Sequence, residues 1–407
     1  MPERLDNGYR IVQNVLHDME QNPWSGEVAI VGAYEAPYRS APGVHPFAIH
    51  AECVAGALAD AGLELGDVDG FATAASFPPE GAREMAIAEV AEYVGLRPRW
   101  FDGTDIGGAA PIAHAGHAAM AIATGMADVV VVSYAASGRS WPHGAEDYLT
   151  YASGPGQWEV PYGPTTVATY ALAAHRHMHE FGTTPEQLAQ IAVQCRTNAA
   201  TNEHARYRDP ITVDDVLGSP VIASPLHRLD CCVVTDSGAA FVLASRRRAQ
   251  SLSGVTPVHV LGFGEALGQV SMNQMPDFTA TAGVQSGAAA FGTAGLTPDE
   301  IDCAQLYDSF TLTALLALED LGFCAKGDGG RFVAGGGIAP GGALPINTDG
   351  GGLSSNHPGR RGAIAMVEGV RQLQGRSPGV QLDHARTCVV HGVGGSLSAT
   401  ATMVLGT

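Results

Sequence analysis

Apolar and polar positions along the chain fall into two matched sets. Residues 58–77, LADAGLELGDVDGFATAASF, parallel residues 291–310, FGTAGLTPDEIDCAQLYDSF. Each stretch reads as the end of a helix, an AGL turn, an acidic loop and a strand closing on Ser-Phe. A second pair follows in the same order: residues 104–125, TDIGGAAPIAHAGHAAMAIATG, align without a gap with residues 348–369, TDGGGLSSNHPGRRGAIAMVEG. Each begins Thr-Asp, sets two glycines at the same offset and runs into a helix rich in small residues. An apolar strand comes next in both copies, ADVVVVSYA from Ala127 and RTCVVHGVGG from Arg386. Two copies of one α/β unit predict a pseudo-twofold core of mixed sheets with helices between and outside them. A helix of Ala, Gly and Ser is suited to burial on all sides, because small residues let backbones approach closely.

The remaining chain divides around these halves. Residues 1–25 form an arm in which Ile11, Val12, Val15, Leu16 and Met19 keep helical spacing, predicting one amphipathic helix docked on the body or on a partner. The first half spans 26–135 and is completed by 186–255, and the second half spans 256–407. Between them, 136–185 hold a Gly/Pro/aromatic-rich loop and a helical stretch, VATYALAAHRHMHEFG; long irregular loops in compact domains are usually functional.

Composition narrows the class. The 407 residues are 45% hydrophobic and 15% charged, as in a globular enzyme with a large interior and unlike a disordered chain. A formal charge of −19 argues against nonspecific binding to nucleic acid or anionic membranes, while local arginines or a helix N-terminus still suffice for an acidic ligand. No apolar run reaches the roughly 18 residues of a membrane span, and the N-terminus lacks an apolar signal core, so a cytoplasmic protein is expected. The seven cysteines form no CxxC pair, which speaks against a zinc site, and a cytoplasmic setting speaks against structural disulfides.

Four segments carry a resemblance to a known family: ARYRDPITVDDVLGSPVIASPLHRLDCCVVTDSGAAFVLAS, LYDSFTLTALLALEDLGFC, LPINTDGGGLSSNHPGRRGAIAMVEGVRQLQG and VVHGVGGSLSATATMVL. Together they resemble the thiolase superfamily, in its sterol-carrier or lipid-transfer branch, over nearly the whole chain from about Glu27 onward. The resemblance implies the five-layered αβαβα thiolase fold built from two pseudo-twofold-related halves, assembled as a homodimer. Thiolases of this fold carry a nucleophilic cysteine at the N-terminus of the buried helix of the first half, where the helix end lowers a thiol's pKa. Here the matching stretch is 105–111, DIGGAAP, and no cysteine lies between Cys53 and Cys195. The rest of the pocket resembles the family pattern. His357 matches the histidine of the GHP loop, preceded here by Asn356 rather than glycine. His391 falls where biosynthetic thiolases have a second cysteine, and Tyr307 and Asp308 stand in place of the Asn-Glu of NEAF.

An acyl-CoA pocket without its nucleophile still suits retro-aldol cleavage of a β-hydroxyacyl-CoA, of steroid or aromatic type, which needs a base and enolate-stabilising donors but no covalent intermediate. The family precedent is the lipid-transfer aldolases of steroid side-chain degradation, which implies a small OB-fold, zinc-ribbon partner subunit. The coenzyme A thioester is then substrate, with no cofactor held by this chain. Tyr307, His357 and His391 are the catalytic candidates. Tyr307, with an ordinary pKa near 10, needs help from neighbours to act as a base. Asp105, Gly107, Gly108, Asn202, His204, Asp308 and Gly394 are candidates to shape the substrate pocket, and His114 and His117 are read as structural. Lys326, the one lysine, sits in a glycine-rich turn that suits a Schiff base poorly. His175 and His179 have i, i+4 spacing, open to a metal or to the polar face of a surface helix. Two other classes stay open: an acyltransferase using Cys231, Cys232, Cys388 or another unrecognised nucleophile, and a non-catalytic acyl-CoA- or lipid-binding subunit of a complex.

Overall fold

The computed structural model describes residues 24–74, 85–140, 158, 160–163 and 165–407. Residues 1–23 of the arm, with its expected helix, therefore lie outside the described residues, as does much of the loop expected within 136–185. The first half runs β1 (Val28–Glu35), α1 (Pro46–Ala61), β2 (Gly70–Ala72), α2 (Ala86–Val94), β3 (Trp100–Asp102), α3 (Ala110–Ala123) and β4 (Val129–Ser137). Then come α4 (Thr166–Phe181), α5 (Pro185–Ala199), α6 (Val213–Leu217), a small hairpin of β5 (Val221–Ala223) and β6 (Leu226–His227), β7 (Asp236–Ser245) and α7 (Arg246–Ser251). The second half contains β8 (Val258–Leu267), α8 (Gly283–Ala294), β9 (Cys303–Leu306), α9 (Thr311–Asp320), α10 (Gly329–Ala334), α11 (Gly362–Leu373), β10 (Thr387–Gly394) and β11 (Ala399–Gly406).

Strand order shows the pseudo-twofold directly. Among the described residues the large sheet reads β3-β2-β4-β7-β1-β8-β11-β10-β9. Outward from the centre, β1, β7, β4 and β2 mirror β8, β11, β10 and β9. The join is narrow, with Ala29 opposite His259 and Ile30 opposite Val258. The small-residue helices α3 and α11 pack together in the middle layer, within a core that takes side chains from both half-sheets. Helix α1 covers the outside of the first half-sheet and α8 the outside of the second. Helices α4 and α5 also join the outer core of the second half, so the segment after β4 is spatially a cover for the opposite half. This is the pseudo-twofold core expected from the repeats and the five-layer arrangement that the family resemblance implies.

Close helix packing follows from residue size. A side chain at Gly116 of α3 would sit 2.5 Å from the Phe263 ring on β8. Local signals set the ends: Pro46 opens α1 and Gly62, at φ +66°, closes it, while Thr184 and Gln187 form a capping box on α5 behind Pro185.

The second repeat holds in order but not in register. At equal offset Ala110 pairs with Ser354, yet Ala110 starts α3 whereas Ser354 lies in a wide, π-helical turn (Gly351–Ser355) and α11 starts only at Gly362. The second half thus spends extra residues between its glycine turn and its helix, and these residues carry His357.

His117, on α3, is held between two acids, with Nδ1 2.6 Å from Asp102 and Nε2 3.1 Å from Glu265. The Asp102 bond and then the Glu265 bond push its pKa up to about 9, against the effect of burial. A pKa raised on folding gives stability that is fully present below the unfolded value of roughly 6.5 and is lost as pH rises through the folded value. Urea midpoints are expected to fall between pH 6.5 and 9.5 in the native protein, and to fall distinctly less in His117→Gln.

Candidate active site

Glycine loops from the two halves meet at the N-terminal end of α3. Gly107 has φ +64°, and a Cβ there would lie 2.8 Å from the Gly395 nitrogen and 3.0 Å from the Gly394 Cα. A Cβ on Gly394 would in turn fall on the Ile106 carbonyl. At Gly108 a side chain would collide with the Tyr307 hydroxyl end and with the Val393 carbonyl. The space a side chain on Gly108 would use is filled by Tyr307.

Tyr307 follows β9 and is buried. Its backbone N–H donates to the His391 carbonyl at 2.9 Å, and its hydroxyl donates to the Gly359 carbonyl at 2.9 Å. The His357 ring stands edge-on to it, with centroids 5.5 Å apart. Burial, and then the neighbouring Cys232 and Tyr170, raise the Tyr307 pKa well above 10. The help a base would need is therefore absent among its neighbours, and the tyrosine is a neutral donor. Burial and the adjacent Arg361 charge lower His357 to about 4, so the imidazole is neutral at pH 7. Its Nε2 is buried and makes no hydrogen bond among the described residues.

His391 does not join this pair through its side chain. Along β10, Gly392 faces Ile112 and Ala109 at α3, so His391 points to the other face. There its Nδ1 lies 2.8 Å from Thr402 Oγ1, which is 2.8 Å from Ser286 Oγ of α8. Its Nε2 is buried without a partner among the described residues, and burial lowers its pKa to about 4.

The pocket candidates divide in the same way. Asp308 is fully buried beneath the wide turn, accepting from the Gly352 and Leu353 N–H groups at 2.7 and 3.2 Å. Asn202 donates to the Asp349 carbonyl and Ser355 Oγ at 3.0 and 3.2 Å, and it accepts from the His204 N–H. Both position the turn from behind it. The His204 ring is exposed, 3.5 Å from Glu203. Asp105 accepts from the Gly107 N–H at 3.1 Å and pairs with Arg360 at 2.6 Å, tying the first-half loop to the second-half loop.

The organising cation escaped sequence reading. Arg361 is 1% exposed and lies 2.7 Å from Asp349 and 3.3 Å from Asp308, while Nη1 donates to the Asn356 carbonyl at 2.7 Å. Asn356 also donates to Glu35 and accepts from Thr235, whose Oγ1 receives the His357 N–H at 3.0 Å. The available signal was two aspartates in buried glycine-rich segments with an Arg-Arg pair beside them; buried carboxylates require such a cation.

No cysteine takes the nucleophile's place. Burial raises the thiol pKa of Cys53, Cys195, Cys231, Cys232 and Cys324, to about 12 for Cys231 and Cys324. A hydrogen bond with Cys388, then burial, raises Cys303. Lys326 is fixed 2.6 Å from Asp320 and 3.2 Å from Glu319, away from the glycine junction. His175 and His179 line an open cavity of about 700 Å³ with Glu180 and Asp277, and no group of three or more His, Cys, Asp or Glu among the described residues is placed to hold a metal.

The fold and the nucleophile-free glycine junction define a thiolase-like protein of the aldolase type, and comparison with known proteins agrees. Residues 264–407 match the family model described as "Thiolase C-terminal domain-like". The chain is 36% identical over 389 residues to a steroid side-chain-cleaving aldolase of Thermomonospora curvata, covering 91% of this chain and 96% of that one. It is 37% identical over 371 residues to the 17-hydroxy-3-oxo-4-pregnene-20-carboxyl-CoA lyase of Mycobacterium tuberculosis, covering 87% and 93%. A solved structure titled Ltp2-ChsH2(DUF35) aldolase superposes with a TM-score of 0.84 at 34% identity, over 94% of this chain and 98% of that one. Human mitochondrial 3-ketoacyl-CoA thiolase shares the fold, with a TM-score of 0.70 at 15% identity over 93% and 98%. The chain belongs to the thiolase superfamily, in the sterol-carrier branch that includes the steroid side-chain-cleaving aldolases.

Replacing Arg361 by Met leaves Asp308 and Asp349 buried without their cation. The expected loss is about 3–5 kcal/mol of unfolding free energy, read by urea denaturation.

Proposed function

We propose that this protein is a carbon–carbon lyase that cleaves a β-hydroxyacyl-CoA by retro-aldol chemistry without an acyl-enzyme. The carrying observation is the neutral Tyr307 hydroxyl standing in the space beside Gly108, next to a neutral His357 with a free ring nitrogen. In the tautomer protonated at Nδ1, His357 Nε2 offers a lone pair to the substrate's β-hydroxyl. As that proton leaves, the Cα–Cβ bond breaks and its electron pair becomes the thioester enolate. The β carbon departs as a ketone or aldehyde. The Tyr307 hydroxyl, turning from the Gly359 carbonyl, donates to the enolate oxygen, and the N-terminal end of α3 adds its positive dipole. The proton held by His357 returns to Cα, giving the shortened acyl-CoA. His391 supports the strand end behind Tyr307 from the far face.

Several finer assignments belong to the same reading. The relatives' printed substrates support a hydroxylated steroid side chain, and CoA serves as part of the substrate. The DUF35 chain in the related structure's title supports a small OB-fold, zinc-ribbon partner subunit. Strand β3, at the edge of the sheet among the described residues and with Phe101 exposed, supports a homodimer. Seven free cysteines suit a reducing cytoplasm, and no helix among the described residues is long and apolar enough to cross a membrane.

The test is mass-spectrometric product analysis, with the chain alone and co-expressed with such a partner. A bulky β-hydroxyacyl-CoA is expected to give carbonyl product and shortened acyl-CoA without added CoA. Turnover only of a β-ketoacyl-CoA with free CoA would overturn the lyase in favour of an acyltransferase, and an acetyl-CoA acetyltransferase of Methanothermobacter thermautotrophicus is 32% identical over 377 residues. Tyr307→Phe is expected to lower kcat about 10²–10³-fold, as removal of an oxyanion donor does. Because His357 is lowered to about 4, the acid limb of kcat/KM is expected near pH 4, with activity lost as pH falls through it. An acid limb at the ordinary histidine value would remove His357 from the role of base.

A further inference from the structure

We infer that Tyr134, on β4 of the first half, is a positioning residue that holds the turn after His357 while Tyr307 turns to the enolate, an assignment that rests on the lyase reading above. Strand β4, VVVVSYAAS, is buried along its whole length and nearly all apolar. Tyr134 is 1% exposed within it. Its ring fills the core as that of phenylalanine would, and only the hydroxyl needs a polar partner. That partner belongs to the other half of the molecule: the hydroxyl donates to the Pro358 carbonyl at 3.3 Å. A Cβ on Gly359 would lie 3.0 Å from the same oxygen, so the phenol rests directly against the turn.

Two phenols, one from each half, therefore hold one turn. Tyr307 donates to the Gly359 carbonyl at 2.9 Å, and Tyr134 donates to the carbonyl one residue earlier. The same stagger recurs among the N–H groups, with that of Arg361 facing the Tyr307 oxygen and that of Arg360 facing the Tyr134 oxygen. Arg360 also covers the Tyr134 ring, its guanidinium 5.4 Å from the centroid, while it pairs with Asp105 at 2.6 Å. Ring, turn and the loop ahead of α3 are thus joined through neighbouring contacts.

The two bonds do different work during the reaction. In the lyase reading the Tyr307 hydroxyl leaves the Gly359 carbonyl to donate to the enolate oxygen. At that moment the turn loses one of its two phenol donors, beside the imidazole that holds the substrate's proton. Pro358 directly follows His357, so the Tyr134 bond keeps that imidazole aligned with Cα until the proton returns. In the resting structure the bond is long and Tyr307 shares the load, so loss of the hydroxyl costs the resting fold little. Its contribution grows as the Tyr307 bond breaks, which is a contribution to the transition state rather than to substrate binding.

Steady-state kinetics on a bulky β-hydroxyacyl-CoA, with urea midpoints measured alongside, test this in Tyr134→Phe, Tyr307→Phe and the double variant, using the full chain with its partner subunit. Tyr134→Phe keeps the ring and is expected to lower kcat about tenfold, with KM within about twofold of native and an unchanged urea midpoint. In the Tyr307→Phe background no hydroxyl leaves the turn during reaction. There the same substitution is expected to change kcat by less than about twofold. An equal loss of kcat in both backgrounds would show that Tyr134 only packs β4 against the turn, and would overturn the proposal. Unchanged kcat in Tyr134→Phe would also overturn it while leaving the lyase reading intact. Native protein that gives no carbonyl product would overturn both.

Discussion

One buried guanidinium organises the active end of the molecule. Arg361 sits between Asp308 and Asp349 and under the Asn356 carbonyl. Through Asp308 it holds the backbone of the wide turn and the segment that presents Tyr307. Through Asn356 it holds the entry to His357, and at the start of α11 it anchors the second-half helix to the middle layer. Removing either charge type would leave the other in a nearly dry interior, where the penalty is several kcal/mol. The position of both candidate side chains therefore depends on a group that touches neither reacting atom.

The glycine junction adds the chemical constraint. Because Gly107 and Gly108 lie against 393–395 and Tyr307, the end of α3 has no room for a nucleophile's side chain. In the proposed reaction the helix dipole that would sharpen a thiolate would act on the developing enolate charge instead. Burial completes the change, since it raises Tyr307 and the nearby Cys232 while lowering His357, and the pair is left as a neutral donor and a neutral acceptor. Such a set suits proton movement and enolate stabilisation better than covalent acyl transfer.

Much of this architecture was legible in the sequence because each half repeats one α/β unit, and the periodicities of β4 and β10 mark the same place in both. The absence of a cysteine near 105–111 was legible for the same reason. The register of the second repeat was not. Thr-Asp and two glycines recur at equal offset, but the extra residues ahead of α11 form a wide turn that residue identity does not announce. The direction of His391 depends on which face of β10 meets α3, a fact fixed by the glycines at 392 and 394 only once the central helix is in place. Asp308 and Asn202 are expected from the sequence to shape the pocket, whereas in the structure they bond the wide turn from behind it, through backbone groups that sequence motifs do not display. Arg361 was hidden because a surface arginine and a buried one are written alike.

The central claim is that carbon–carbon cleavage proceeds here without a covalent acyl-enzyme. Intact-protein mass spectrometry on acid-quenched enzyme during steady-state turnover of a β-hydroxyacyl-CoA reads this directly. The account predicts the unmodified mass throughout, with shortened acyl-CoA accumulating in solution. A mass increase equal to an acyl group, mapping to any of the seven cysteines, would contradict it.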